Sequence, residues 1–235
     1  MILAAHADGV VTLTLNRPEL GNALGPALVE HLLDQSGQAI ADPAIHTLVL
    51  RGAGKHFCTG LDLSDLATAS DGDLLQRLVR IETLLSLVWH APIRTVAVAQ
   101  GRTWGAGADL FAVCEQRLAA PGTTFRFPGA QFGIVLGTRR LAERIGTDAA
   151  RRLVLEGGEL DAQQAQLAGL ATGIGDRPDL TCNAADAATA GAIRNATRAD
   201  LRDADLAALV RSAAAPGLQA RIARYRAALR ARRPA

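Results

Sequence analysis

The chain has 235 residues, 49% hydrophobic and 20% charged, with a formal net charge of +2. That apolar share excludes a disordered chain, and the length suits one large domain or a domain with a small extension. No apolar run reaches the roughly 18 residues of a membrane span; the near-neutral balance excludes a nucleic-acid binder, which needs a strong basic excess on one face.

The opening Met1-Ile2-Leu3-Ala4-Ala5-His6 lacks the basic-then-apolar pattern of a secretory signal. Cys58, Cys114 and Cys182 form no CxxC pair and no even set, which predicts reduced thiols in a cytoplasm. Lys55 is the one lysine among 25 basic residues, a bias expected of a GC-rich genome and unrelated to function.

Val10 to Leu15 alternates apolar and polar residues as a half-buried strand does. Gly25-Pro26 opens a helix carrying Leu28, Leu32, Ser36, Ala39 and Ile40, and Asp42-Pro43 closes it. Ile45 to Leu50 reads as a second strand, and Arg51 to Lys55 as a loop. Residues 73–89 place Leu74, Leu75, Leu78, Ile81, Leu85 and Val88 on one helical stripe, stopped by Pro92. Thr95 to Ala99 predicts a buried strand, followed by a Gly-rich turn and a small-residue helix to Glu115. Arg117 to Ala120, Phe125 to Phe127 and Leu170 to Ile174 read as short strands, with a helix starting at Asp161-Ala162-Gln163-Gln164. From about residue 184 the chain is helical, and Leu218, Ile222, Tyr225 and Leu229 form a narrow stripe that must pack against something. Strand–helix alternation first and helices last predicts an α/β core, residues 1–180, with a helical region over 181–235.

Several motifs fail on spacing. Gly54-Lys55 has Val49 and His56 where a phosphate loop needs glycine and a hydroxyl residue. Gly105-Ala106-Gly107 has Leu110 at the third glycine of a dinucleotide fingerprint, and Phe125 where an acid should follow. No nucleophile elbow is present. His6, His31, His46, His56 and His90 show no metal-ligand spacing, so no metal is expected.

Four segments remain: Leu15-Asn16-Arg17-Pro18 with Asn22-Ala23-Leu24, Leu50 to Leu63, Val96 to Asp109, and Ala162-Gln163-Gln164-Ala165 with Gly169-Leu170. In order and spacing they resemble the crotonase superfamily, the enoyl-CoA hydratases and isomerases, over roughly residues 8–176. The resemblance implies a crotonase-like fold of repeated ββα units, with the C-terminal helices assembling trimers or dimers of trimers. It implies an acyl-CoA thioester as substrate, with no bound cofactor, and an enolate-like oxyanion held by the backbone N–H groups of Leu61 and Ala106. Gly60 and Gly105 would let the backbone approach the ligand. Each such donor lowers the barrier by about 3 kcal/mol in other enzymes.

By the same resemblance Asp109 stands where hydratases carry a catalytic glutamate, a role weighed against that of a first-turn acid complementing the helix dipole. The second hydratase acid position is Gly129. One carboxylate puts hydration in doubt but leaves isomerisation, decarboxylation, retro-aldol cleavage or thioester hydrolysis open. Glu115 faces away, while Glu143 is a substitute only if its loop folds inward. The resemblance places Asn22, Ala23, Leu24, Lys55, Asp62, Leu63 and Gly129 along the substrate. Trp104 would line the acyl pocket, and Trp89 is better read as core. His56 and His90 flank the motifs, and the C-terminal arginines are a solvated face or a phosphate contact. Two rival readings are a helper homologue that has lost the chemistry, and an enzyme acting on a carrier-protein-linked thioester.

Overall fold

The computed structural model describes residues 2–181 and 185–231; Cys182, Arg232 and Arg233 lie outside the described residues. The chain opens with a hairpin, β1 (Ile2–Ala7) against β2 (Val10–Leu15), turned at Asp8-Gly9 with both residues at positive φ. The Asp-Gly pair is a strong hairpin signal. β1 is nonetheless absent from the periodicity reading, because nearly all of it is exposed and no face alternates. α1 (Pro26–Ala41) then crosses to β3 (Thr47–Gly52), and α2 (Asp71–Trp89) to β4 (Arg94–Ala99). β2, β3 and β4 run parallel. β3 and β4 are apolar almost throughout because both faces of the sheet are covered there.

β5 (Arg102–Trp104) leaves the first sheet at Gly101, where a Cβ would lie 2.1 Å from the Lys55 carbonyl oxygen. α3 (Ala106–Ala112), β6 (Gln116–Ala119) and β7 (Thr124–Arg126) follow. α4 (Thr138–Ile145) and α5 (Thr147–Glu156) lead to β8 (Glu159–Asp161), α6 (Ala162–Leu167) and β9 (Gly173–Ile174). The described strands form two sheets, β1-β2-β3-β4-β6-β9 and β5-β7-β8. This is the α/β arrangement expected from the sequence. β5 and β8 are strands where a turn and a helix start were expected, because three-residue strands carry too little pattern to be seen.

The described tail consists of α7 (Ala187–Ala196), α8 (Arg202–Ala213) and α9 (Leu218–Ala231). It folds back on its own chain. Leu218 and Ile222 join a core cluster with Leu74 and Leu78 of α2, so the stripe finds its partner within the same molecule. Asp71, in the first turn of α2, accepts from the backbone N–H groups of Gly217 and Gln219 at 2.9 and 2.7 Å and fixes the start of α9.

α2, α4 and α8 are joined by buried charge. Arg140, 1% exposed, donates to both carboxylate oxygens of Glu82 at 3.0 and 2.6 Å and lies 3.0 Å from Asp205. Arg139 forms a bidentate pair with Asp205 and also bonds Glu143. Glu143 is therefore held on the outside by Arg139, and it is not a second acid for the site. Removing one member of a buried pair strands the other charge, whereas replacing both with apolar residues of similar volume is often tolerated. Arg140→Met should therefore cost about 3–5 kcal/mol in chemical denaturation. Glu82→Leu combined with Arg140→Met should recover most of that loss.

Candidate active site

The site is made by two loops brought together by backbone pairing. Residues 57–61 run alongside β5: Phe57 N–H bonds the Gln100 carbonyl, Trp104 N–H bonds the Cys58 carbonyl, and Cys58 pairs with Thr103. On the other flank Leu24 pairs with Leu61, with Asp62 N–H on the Leu24 carbonyl and Leu24 N–H on that of Gly60. Gly60 and Gly105 consequently face each other. A Cβ on Gly60, whose φ is +97°, would lie 2.8 Å from the Trp104 carbonyl oxygen and 3.4 Å from the Ala106 nitrogen. Gly107 has the other role: its Cα packs on Cys58, where a Cβ would sit 2.2 Å from a carbonyl oxygen.

Between these turns lies a cavity of about 210 Å³. Leu61, Ala106, Asp109, Gly129 and Trp104 line it, as do Gly60, Gly105 and Leu63. Among the described residues, the N–H groups of Leu61 and Ala106 bond no other group of the chain. Leu78, Phe127, Phe132, Ile134, Leu136 and Leu141 make the wall largely apolar, and Ile222, Tyr225 and Leu229 of α9 complete it.

Asp109 is the one carboxyl residue in that lining. It is 6% exposed. Its carboxyl is raised well above the usual range, first by burial and then by the negative charge of Glu82, against the opposing pull of Arg140. Gly137, at the start of α4, packs directly on it: a Cβ there would lie 2.2 Å from Asp109 Oδ1.

Other expected contacts fall elsewhere. Asn22 is fully buried, and its side chain is spent inside the protein. It accepts from Arg17 N–H at 2.8 Å and donates to the Ala53 and His56 carbonyls at 2.9 and 2.7 Å. Ala23 and Leu24 are buried and line no part of the cavity; pairing with the 57–61 loop is what Leu24 does. Lys55 is exposed on the loop beyond. Asp62 pairs with Arg17 at 2.9 Å, outside the cavity. Burial would raise Asp62, but hydrogen bonds from Ser64 and Arg17 outweigh it and hold the carboxyl below the ordinary range.

Trp104 lines the cavity with its indole N–H on Thr124 Oγ1 at 3.0 Å. Trp89 is core, packed under Arg144. Glu115 pairs with Arg194 and Arg198, away from Asp109. His56 Nδ1 accepts from Arg102 N–H at 3.1 Å, and burial first, then Arg102, lowers its pKa. His90 is likewise lowered, chiefly by burial. Burial pushes the Cys58 and Cys114 thiols up to about 12, so neither is a ready nucleophile. Among the described residues no cluster of His, Cys, Asp or Glu is placed to hold a metal, and no helix is long and apolar enough to cross a membrane.

Sequence reading missed the distal wall and the Glu82–Arg140 pair. Glu82 did leave a trace: it sits four residues after Leu78 and three before Leu85, a charge at core spacing.

The two sheets and the cavity between the paired turns define an α/β protein with an enclosed apolar site, and comparison with known proteins gives its family. Residues 5–222 match the family model for enoyl-CoA hydratase/isomerase, and the chain belongs to that family, within the crotonase superfamily. A crystal structure of a "putative enoyl-CoA hydratase/isomerase" from Bordetella parapertussis superposes with a TM-score of 0.90 at 39% identity, covering 99% of both chains. The "Probable enoyl-CoA hydratase echA6" of Mycobacterium leprae is 34% identical over 192 residues, 79% of this chain and 76% of its own. The 2,3-dehydroadipyl-CoA hydratase of Escherichia coli is 32% identical over 181 residues, 74% of this chain and 68% of its own.

The raised Asp109 carboxyl has a measurable consequence. As pH rises the unfolded chain gives up this proton first, at about pH 4, while the folded chain keeps it. Stability therefore falls from there through the raised folded pKa and stays lower above it. Asp109→Asn removes that term. The variant should melt above the wild type at pH 8, and the gap should close towards pH 4 in calorimetry.

Proposed function

We propose that this protein is an enzyme acting on an acyl-CoA thioester, with the N–H groups of Leu61 and Ala106 holding the thioester oxygen as it gains enolate charge. Asp109 is the single proton carrier. One observation carries this reading: the sole carboxyl residue of a largely apolar cavity shares its lining with Leu61 and Ala106, whose N–H groups have no partner among the described residues. Donors fixed in place before reaction stabilise developing charge without having to reorganise. A carboxyl held well above the usual carboxylate range by burial can carry a proton and pass it on.

Addition of water to an enoyl thioester uses two carboxylates on one water. Gly129 stands at the second position and has no side chain to offer. The chemistry that fits is therefore a one-acid enolate reaction, such as moving a double bond by taking a proton from one carbon and returning it to another. Assembly as a homotrimer or dimer of trimers is part of the proposal, and sedimentation checks it.

Incubation with butyryl-, crotonyl- and 3-enoyl-CoA in heavy water tests the reading. The wild type should incorporate deuterium into, or convert, at least one of them. Asp109→Asn should slow that by about 10²–10⁴-fold while CoA-ester affinity changes little. A second reading, favoured by Gly129, is a helper homologue; it predicts tight CoA-ester binding with neither conversion nor exchange.

A further inference from the structure

We infer that Phe132 and Tyr225 form the stop that sets how long an acyl chain the cavity accepts. This rests on the acyl-thioester reading above. Both side chains line the cavity that holds Asp109, and both also line a separate, more open cleft of about 420 Å³. Leu229 is shared in the same way. Their rings pack at a centroid distance of 5.2 Å and an interplanar angle of 48°. The partition between the two spaces is thus made of side chains that line both, two aromatic and one aliphatic.

The far side carries two arginines, Arg221 and Arg224. Arg221 is tied to the backbone: Nη1 donates to the carbonyls of Phe132 and Gly133, and Nη2 to those of Ser212, Ala213 and Ala215. Arg221 clasps the 132–133 turn to α9 and so holds the two rings against each other. Burial raises the Tyr225 phenol above its ordinary pKa, so it presents a neutral ring and hydroxyl to a chain that reaches it. An acyl chain growing away from Leu61 and Ala106 gains apolar contact until it meets these rings. Beyond them lies room that the wild type walls off.

The test is a binding series with butyryl-, hexanoyl-, octanoyl- and dodecanoyl-CoA, read by calorimetry, with circular dichroism to confirm folding. Wild-type affinity should rise with chain length and then stop rising. Phe132→Ala with Tyr225→Ala should keep rising past that point, by about tenfold for each two further methylenes buried. Tyr225→Leu, the milder change, should move the limit in the same direction and serves if the double variant does not fold. Adding Ala228→Trp, which fills the far cleft, should restore the limit in the double variant. By itself it should leave butyryl-CoA affinity unchanged. A folded variant whose limit stays at the wild-type length overturns the stop while leaving the thioester reading intact. A wild type that binds none of the four esters overturns that reading, and the stop with it.

Discussion

Everything at the site depends on the close approach of two turns that only glycine permits. With φ at +97° and a carbonyl oxygen 2.8 Å from where a Cβ would be, Gly60 has neither the conformation nor the room for a side chain. The approach is enforced from both sides. β5 pairs with Cys58, Phe57 bonds Gln100 just before it, and Leu24 pairs with Leu61, so the loop lies between two lines of hydrogen bonds. Among the described residues the N–H groups of Leu61 and Ala106 have no partner, because the pairing that fixes their neighbours passes them by.

This division of labour explains why some family-motif residues have no place in the cavity. Asn22 satisfies two carbonyls and one N–H across three turns of chain, and Arg17 ties Asp62 to the Ala23 carbonyl. These residues build the frame that holds the 57–61 loop. A motif match identifies positions that are constrained, and burial with hydrogen bonding separates those that hold the site from those that face it.

The main elements of the fold were legible because their signals are local. The 10–15 alternation, the α2 stripe, the apolar β4 run and the Asp161 cap each lie within one stretch of chain, and the structure has them. The loops carrying Leu61, Ala106 and Asp109 were legible through their resemblance to a family. The distal wall was not, since Phe132, Ile134, Ile222, Tyr225 and Leu229 come from segments about ninety residues apart that only tertiary packing unites. The α9 stripe announced that it needed a partner without naming α2. Nothing local marks Arg140 as buried, because its partner Glu82 lies 58 positions earlier.

The Asp71 cap on the start of α9 joins the cavity to an exposed carboxylate. Leu78 of α2 and Ile222, Tyr225 and Leu229 of α9 belong to one lining. Loosening that cap would unseat a helix that carries part of the wall, so a side chain in open solvent bears on the shape of the space within.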